Sequence, residues 1–202
     1  MSFHGLIAYQ TLPLDPTQRK IRTLHLLPGT NENICGKLEI LDLDQRVEPY
    51  VCVSYVWGDA SITRSIWVEG EELQVTTNLF DLLQNIRHPH HTVVIWVDAI
   101  CINQTDLIER SHQVALMDDV YSLCSSVYIW LGALPRGPKW ANKDPFYLLK
   151  HFAAEKHYHD LPGYTKDGNE VWMFEEAHAE FQEMWSAFLL VADNSWWTRA
   201  CK

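Results

Sequence analysis

Two stretches decide the fold: YVCVSYVWGD (50–59) and VVIWVDAICINQTDLIERSHQVALMDDVYSLCSSVYIWLG (93–132). Three apolar, β-rich runs, at 50–56, 93–98 and 127–132, predict strands that are covered on both faces. The segments TTNLFDLLQNIRH and DLIERSHQVALMDDVYSLC place apolar residues three and four positions apart, which predicts helices, the first starting near Thr77 or Asn78. Strands and helices that alternate with short connections predict right-handed crossovers, and therefore an α/β fold with a parallel sheet flanked by helices.

The sequence on either side predicts further elements. IRTLHLL (21–27) and GKLEILDL (36–43) alternate apolar and polar residues, which predicts two strands in an antiparallel edge of the sheet. RSIWVEGEELQV turns at Gly70 and predicts a small hairpin outside the main sheet. Two helices are predicted after Gly132: one from an Asp144 N-cap to about Lys156, and one from Glu170 whose apolar stripe includes Phe174 and Ala177 and runs to Val191. We expect one domain over 1–202, with a motif core at about 50–132 and a helical part at about 144–202.

Composition and charge limit the class of protein. The 202 residues are 47% hydrophobic, with 16 Lys and Arg against 26 Asp and Glu, a formal charge of −10. Such a field repels phosphate backbones and anionic lipid, so we expect neither nucleic acid nor a membrane as partner. No apolar run approaches the roughly 20 residues of a membrane span. The N-terminus lacks a basic segment followed by a continuous apolar stretch, and we therefore expect a cytoplasmic protein.

Several kinds of site lack their sequence signatures. The five cysteines are odd in number and never form CxxC, which argues against a disulfide framework and a zinc ribbon. His88, His90 and His91 could bind a metal ion, but they fit a polar loop after a helix better, and we assign no metal. No GxGxxG follows a strand, and GxxxxGKS/T, GxSxG and HExxH are missing, which leaves dinucleotide dehydrogenases, P-loop proteins, serine hydrolases and zinc proteases without support.

Four blocks of this sequence resemble the fungal heterokaryon incompatibility domain: YVCVSYVWGD, VTTNLFDLL, the stretch IWVDAICINQT…VYIWLG, and the terminal NSWWTR. The resemblance covers roughly residues 20–202, and the order and spacing of the blocks make it specific. It implies a role in fungal nonself recognition and innate immunity, in which the fusion of genetically different hyphae leads to programmed cell death.

The chain also resembles, more distantly, Toll/interleukin-receptor domains, which are flavodoxin-like. The likeness lies in a strand ending in Ser54 and Tyr55, a loop with Gly58 and Asp59, and the later order of strand, polar loop, helix and strand. Some of these domains hydrolyse NAD by means of a glutamate, so the resemblance implies NAD as a substrate, with no cofactor required. In the incompatibility family the comparable place is a tryptophan pair and an arginine followed by a Gln-Glu pair. Here Trp196–Arg199 match, and the sequence stops at Lys202 without that pair.

Two hypotheses follow from these resemblances. The first is a signalling domain that binds NAD and, in a complete form, hydrolyses it. The second is a non-catalytic module that assembles with itself or with other signalling proteins through its sheet edge and helices. A shared fold does not decide between them, because chemistry resides in the site.

The site residues to inspect leave the carboxyl ends of the three strands, where open α/β sheets bind ligands. At the first strand end, next to Ser54 and Tyr55, Gly58 would let the loop approach a phosphate or ribose, Trp57 would stack on a base or nicotinamide, and Asp59 would accept a hydroxyl proton. The structural alternative makes them a turn glycine, a core side chain and a cap.

The second strand end carries Asp98, Asn103 and Gln104. Their side chains could orient a ribose or an amide, with Asp98 as a candidate catalytic carboxylate. The structural alternative is a tight loop, in which Asp98 accepts backbone N–H bonds and Asn103 forms an Asx turn.

Glu109 and Arg110 have a catalytic and a structural interpretation. The Glu109 carboxylate could stabilise an oxocarbenium-like ribosyl transition state, and Arg110 could hold a pyrophosphate. Asp106 three residues earlier has the spacing of an N-cap, however, which explains Glu109 without a substrate. Arg110 and Gln113 could equally tie this helix to the preceding loop.

Two other groups of residues have weaker functional interpretations. Trp196, Trp197 and Arg199 could close a cleft, although such a tryptophan pair more often forms a hydrophobic latch. Cys101 with His112 could suggest a thiol nucleophile, but Cys101 lies in an apolar segment and fits a structural role better.

Overall fold

The computed structural model describes residues 6–45, 49–133 and 144–200, with the backbone alone for the last two of these. The chain forms two compact units, Met1–Gly132 and Ala133–Lys202, called here the sheet unit and the C-terminal unit. The sheet unit contains these elements: α1 Ile7–Thr11, β1 Lys20–Leu26, β2 Cys35–Asp42, β3 Val51–Tyr55, β4 Thr63–Val68, β5 Glu71–Thr76, α2 Thr77–Ile86, β6 Val93–Trp96, α3 Asp98–Cys101, α4 Leu107–Ala115, α5 Met117–Leu123 and β7 Ser126–Trp130.

A seven-stranded sheet in the order β5-β4-β2-β1-β6-β3-β7 forms the body of this unit. β3 lies between β6 and β7 and is parallel to both. The three strands predicted from the motif core therefore run side by side in one direction, and the predicted α/β class with flanking helices is confirmed. The sheet as a whole is mixed, because β1 pairs antiparallel with β2 and with β6, and β4 pairs antiparallel with β5.

Two predictions about the rest of the sheet are wrong. β1 and β2 pair antiparallel as expected, but they are interior strands, since β1 also pairs with β6 and β2 pairs in parallel with β4. The hairpin β4–β5 consequently extends the main sheet instead of lying outside it. Gly36 of β2 leaves room for the buried Leu24 side chain of β1, since a Cβ there would come within 2.6 Å of it. Alternation identified each strand but carried no information about its neighbours.

The motif core itself departs from the prediction in two places. β7 is an edge strand, and the side chains of Val127 and Ile129 are each 45% exposed, so it is not covered on both faces. A tight loop was the structural alternative for the segment that begins at Asp98, yet Asp98–Cys101 form the short helix α3. The predicted helix over 106–124 is divided at Leu116, a buried residue that ends α4 and precedes α5.

The C-terminal unit contains α6 Tyr147–Ala153, a 3₁₀ turn Tyr158–Asp160, the hairpin β8 Tyr164–Lys166 and β9 Trp172–Phe174, then α7 Ala179–Ala192 and α8 Ser195–Ala200. The helix predicted from Glu170 begins at Ala179 instead, so Phe174 belongs to β9 and Ala177 precedes the helix. The reason is a turn: the Asp167 carboxylate accepts the backbone N–H groups of Asn169 and Val171 and closes the hairpin. α6 is also shorter than predicted at both ends.

Candidate functional site

The ends of β3 and β6 meet through a side-chain hydrogen bond. Trp57, two residues beyond β3, donates its indole Nε1–H to Oδ2 of Asp98 over 3.2 Å. Asp98 follows β6 and begins α3, where its Oδ1 accepts the backbone N–H of Ala99 at 2.8 Å. The parallel pairing of β3 with β6 puts both residues at the same edge of the sheet. Two residues singled out by the sequence are thus brought into contact.

The end of β7 joins the same region through Asn78. The helix α2 begins at Thr77, as predicted, because Thr76 is its N-cap and accepts the backbone N–H of Leu79. The Asn78 amide donates to the carbonyl of Val56, and its Oδ1 accepts the indole Nε1–H of Trp130 at 2.8 Å. Sequence reasoning missed Asn78; the only available signal was an amide in the first turn of a helix that follows the hairpin.

Trp57, Asn78, Asp98 and Trp130 are named here the strand-end crevice. Three strand ends converge on it, as the parallel arrangement of β3, β6 and β7 predicts. The two indoles are half-buried, and their N–H groups are directed to Asp98 and Asn78. A ligand bound at these four residues would contact indole rings together with an amide or a carboxylate group.

The loop after β3 depends on Gly58, whose φ is +77°. A Cβ at this position would also lie 3.3 Å from the Cβ of Asn78, so glycine serves both the turn and the approach to α2. Asp59 is exposed, and its Oδ1 accepts the N–H and the hydroxyl of Ser61 at 2.8 and 2.7 Å. These hydrogen bonds hold the pKa of Asp59 below its ordinary value, and they favour the capping interpretation of this residue.

A recess lies next to the crevice, and Tyr55 and Trp57 contribute to its lining. Ser54 is half-buried one residue before, within β3. The recess is shallow and open: its empty volume of about 310 Å³ includes the solvent at its mouth. It is named here the β5 recess, and it is lined by Tyr55, Trp57, Leu73, Gln74, Val75, Thr76, Leu79 and Ala99.

The segment after α3 is held by its own polar side chains. Gln104 donates its amide to the backbone carbonyl of Asp98 at 2.8 Å. Asn103 accepts the N–H and the hydroxyl of Thr105 through Oδ1, which is the Asx turn given above as the structural alternative. Asp98 and Gln104 are therefore brought together, whereas the Asn103 side chain serves the turn.

Glu109 forms a bidentate ion pair with a residue that sequence reasoning missed. Arg22 of β1 donates Nη1–H and Nη2–H to the two carboxylate oxygens of Glu109 at 2.6 and 3.0 Å. The backbone N–H of Asn103 also donates to this carboxylate at 2.7 Å. Asp106 is the N-cap of α4, as predicted, and accepts two backbone N–H groups. The contacts of Glu109 favour a structural role, and its catalytic role stays a prediction.

Arg22 connects three parts of the sheet unit. Its side chain is fully buried, and that of Glu109 is 9% exposed. Arg22 also donates to the carbonyls of Leu12 and Cys101 at 2.8 and 3.3 Å, and its guanidinium lies 4.8 Å from the centre of the Tyr9 ring. The segment after α1, the end of α3 and the start of α4 are thereby fixed to β1. Because Arg22 is one of several polar residues in the alternating run IRTLHLL, the sequence carried no signal that it is buried.

The remaining candidates make fewer contacts with the crevice. Arg110 is exposed on α4, and within the part of the chain that the structure describes its side chain has no hydrogen bond or ion pair, so it is not tied to the preceding loop. Gln113 is buried and donates to the carbonyl of Lys20. Burial raises the pKa of the Cys101 thiol to about 12, so it is protonated at neutral pH, which favours its structural interpretation.

In the C-terminal unit, Trp197 donates its indole N–H to the carbonyl of Val191 at 2.6 Å and meets the ring of Trp196 edge-on. This contact favours the latch interpretation, and the Arg199 side chain lies outside the described residues.

Two further properties concern ions and membranes. Over residues 6–45, 49–133 and 144–200, no group of three or more His, Cys, Asp or Glu side chains is arranged to hold a metal ion. The His88 ring stacks on His91 at 3.4 Å and accepts backbone N–H groups of the loop that follows it. No helix among the described residues combines the length and the apolar character that a membrane span requires.

Comparison with known proteins relates this architecture to one family. The family model described as heterokaryon incompatibility protein matches residues 50–200, which include the whole strand-end crevice. The heterokaryon incompatibility protein 6, OR allele, of Neurospora crassa is 34% identical over 149 residues, which are 65% of this chain and 22% of that protein. No solved structure matches the chain, so the likeness to Toll/interleukin-receptor domains stays a prediction. With its family model matched over 151 of 202 positions (50 to 200 inclusive), the chain belongs to the heterokaryon incompatibility family.

Proposed function

We propose that this domain acts in the cytoplasm in fungal nonself recognition, in signalling that leads to programmed cell death, and that it binds NAD in the strand-end crevice. Family membership supports the signalling role. The observation that carries the binding proposal is the convergence of three parallel strand ends on two indoles, an amide and a carboxylate. Open α/β sheets bind nucleotides at such positions.

The chemistry of the crevice suits a dinucleotide in two respects. The faces of Trp57 and Trp130 offer stacking surfaces for a nicotinamide or adenine ring. Asp98 offers a carboxylate for ribose hydroxyls, and Gln104 next to it offers an amide. The exposed Arg110 is the candidate for the pyrophosphate, which needs a cation on a chain of charge −10.

Hydrolysis of NAD would break the bond between nicotinamide and ribose and add water to the ribosyl carbon. Of the two candidate carboxylates, Asp98 is the better placed, because it contacts Trp57 of the crevice whereas Glu109 is engaged by Arg22 and Asn103. A carboxylate beside the ribose would stabilise the positive charge that develops there.

Titration calorimetry with NAD tests binding, and chromatography of released nicotinamide tests hydrolysis. We expect Asp98→Asn to weaken binding about tenfold, as expected for a lost charge-assisted hydrogen bond, and to abolish any release. The control is Asp118→Asn, which removes a carboxylate from the exposed face of α5. Binding equal in the wild type and both variants would refute the assignment of the crevice.

A second candidate function is self-association through β7. This strand is at one end of the sheet and exposes Val127 and Ile129 two positions apart. An edge strand offers unpaired backbone groups to a second copy of the chain. Sedimentation analysis of Ile129→Lys tests it: a charge on the edge is expected to abolish any dimer, and dimerisation unchanged by the substitution would contradict it.

A further inference from the structure

The strand β5 is the other edge of the sheet, and among the described residues it pairs with β4 alone. In an antiparallel pair, alternate residues direct both backbone N–H and C=O either to the partner strand or away from it. The register of β4 and β5 therefore determines which backbone groups of β5 lie on its free edge.

Two hydrogen bonds fix this alternation at the β4 side. The N–H of Trp67 donates to the carbonyl of Ile34 at 2.9 Å, towards β2. Its backbone thus faces away from β5, and its partner across the ladder, Glu72, must direct its own N–H and C=O to the free edge. Residues two and four positions further along β5, Gln74 and Thr76, share this orientation.

A hydrogen bond at the other end of the β4–β5 ladder independently indicates the same orientation of the β5 backbone groups. The N–H of Thr77 donates to the carbonyl of Ile62 at 3.2 Å. That bond joins the residues next to the pair Thr63 and Thr76. Because hydrogen-bonded and non-hydrogen-bonded pairs alternate, the backbone groups of Thr63 and Thr76 point away from each other's strand. The free edge of β5 therefore presents, in order, the N–H of Gln74, the C=O of Gln74 and the N–H of Thr76.

This part of the edge borders the β5 recess. The four consecutive residues 73–76 all line it. Side chains of consecutive strand residues point to opposite faces, so a recess lined by four in a row is consistent with one that borders the strand along its edge and at its end. Glu72 has the same outward orientation but does not contribute to the lining.

The recess thus combines an alternating backbone donor and acceptor row with aromatic and apolar surfaces from Tyr55, Trp57 and Leu79. A planar ring that carries a hydrogen-bond donor beside an acceptor on one edge complements such a row. The carboxamide of nicotinamide and the amino group and ring nitrogen of adenine both have this arrangement.

We propose that the free edge of β5 is the base-binding subsite of this domain, and that it selects a planar ring by pairing backbone groups of Gln74 and Thr76 with adjacent donor and acceptor atoms. The inference rests on the dinucleotide binding proposed above, which it deepens by naming the part of the molecule that is recognised. Selectivity comes from the backbone, so it persists when the Gln74 side chain is changed.

Ligand pairs test the pattern on the unmodified chain. Titration calorimetry compares nicotinamide with nicotinic acid, which lacks the donor, and adenosine with inosine, in which donor and acceptor are exchanged. We expect one of the first-named compounds to bind about tenfold more tightly than its counterpart. The pair that discriminates identifies the ring. Absence of discrimination in both pairs would overturn the inference.

Three variants test the location. Gln74→Pro removes the outward N–H and puts a methylene group in its place, and proline is tolerated on an edge strand when its nitrogen faces away from the partner strand. Glu72→Pro makes the same change outside the recess, and Gln74→Ala keeps the backbone while removing the side chain. We expect about tenfold weaker ring binding for Gln74→Pro and no change for the two controls, with native folding checked by circular dichroism.

The outcomes separate this inference from the proposed function. NAD and ring binding that survive Gln74→Pro would contradict the subsite and leave the proposed NAD binding intact. Selective ring binding in the recess without any binding of NAD would support the subsite and contradict the proposed function.

Discussion

The buried pair of Arg22 and Glu109 provides the strongest test of how this fold is stabilised. Glu109→Ala removes two hydrogen bonds from the guanidinium, at 2.6 and 3.0 Å, and one from the backbone of Asn103 at 2.7 Å. The Arg22 side chain has no exposed surface and would keep only its bonds to the carbonyls of Leu12 and Cys101. Leaving a buried charge without its partner costs about 3–5 kcal/mol.

Urea unfolding followed by tryptophan fluorescence measures this cost. The control is Arg110→Ala, an exposed position one residue away on the same helix, which we expect to change the free energy of unfolding by less than about 0.5 kcal/mol. The double variant Arg22→Met, Glu109→Leu removes both charges, and we expect it to be more stable than Glu109→Ala. A loss of less than about 1 kcal/mol for Glu109→Ala, or a double variant less stable than that single one, would refute the reasoning.

Three further predictions concern the loops and thiols. Gly58→Ala should lower stability in thermal denaturation more than Gly70→Ala, because both have positive φ but only Gly58 lies against Asn78; equal losses would contradict the role of that contact. Asn78→Ala should cost about 1–3 kcal/mol in urea unfolding, and Asn78→Asp less, since it keeps the acceptor for the indole of β7; the reverse order would be inconsistent with the observed bonds. Alkylation followed by mass spectrometry at pH 8 should modify Cys35 well before Cys101, whose pKa is raised by burial to about 12. Fast modification of Cys101 would contradict its burial. Because the pKa of Cys101 lies above the unfolded value of about 8.5, the neutral thiol contributes to stability at lower pH, and this contribution falls as the pH rises above 8.5.

The sequence was sufficient to predict those elements that depend on the pattern of adjacent residues. β3, β6 and β7 were recognisable as apolar runs, and their parallel alignment followed from the short connections between them. Asp106 as the N-cap of α4 and a start of α2 near Thr77 were visible because helix starts depend on a few adjacent residues. These features require no knowledge of distant neighbours.

The features that depend on distant neighbours could not be predicted in this way. The pairing of Arg22 with Glu109 joins residues 87 positions apart, and no periodicity reports it. The position of β1 and β2 inside the sheet likewise depends on contacts with β4 and β6. In the C-terminal unit, the apolar spacing around Phe174 suited a helix, but the turn closed by Asp167 produced a hairpin.

The residues of the candidate site also fall into those that local sequence identified and those that only distant contacts place. The sequence identified Trp57 and Asp98 as residues at strand ends, and the structure joins them by a hydrogen bond. Asn78 and Trp130 were not singled out, because their contact links the first turn of α2 to the end of β7 across 52 positions. The free edge of β5 was invisible, since it consists of backbone groups and carries no residue signature.

The most direct test of the central claim, that three strand ends form one ligand site, is a titration of ¹⁵N-labelled protein with NAD, followed through the indole N–H signals in nuclear magnetic resonance spectra. The account predicts that the signals of Trp57 and Trp130 shift together and saturate at one NAD concentration, because both indoles belong to the crevice. The signal of Trp67, which is exposed on β4 next to the hairpin turn, is predicted to stay in place. Saturation without any shift of Trp57 and Trp130, or no response of any indole, would contradict the claim.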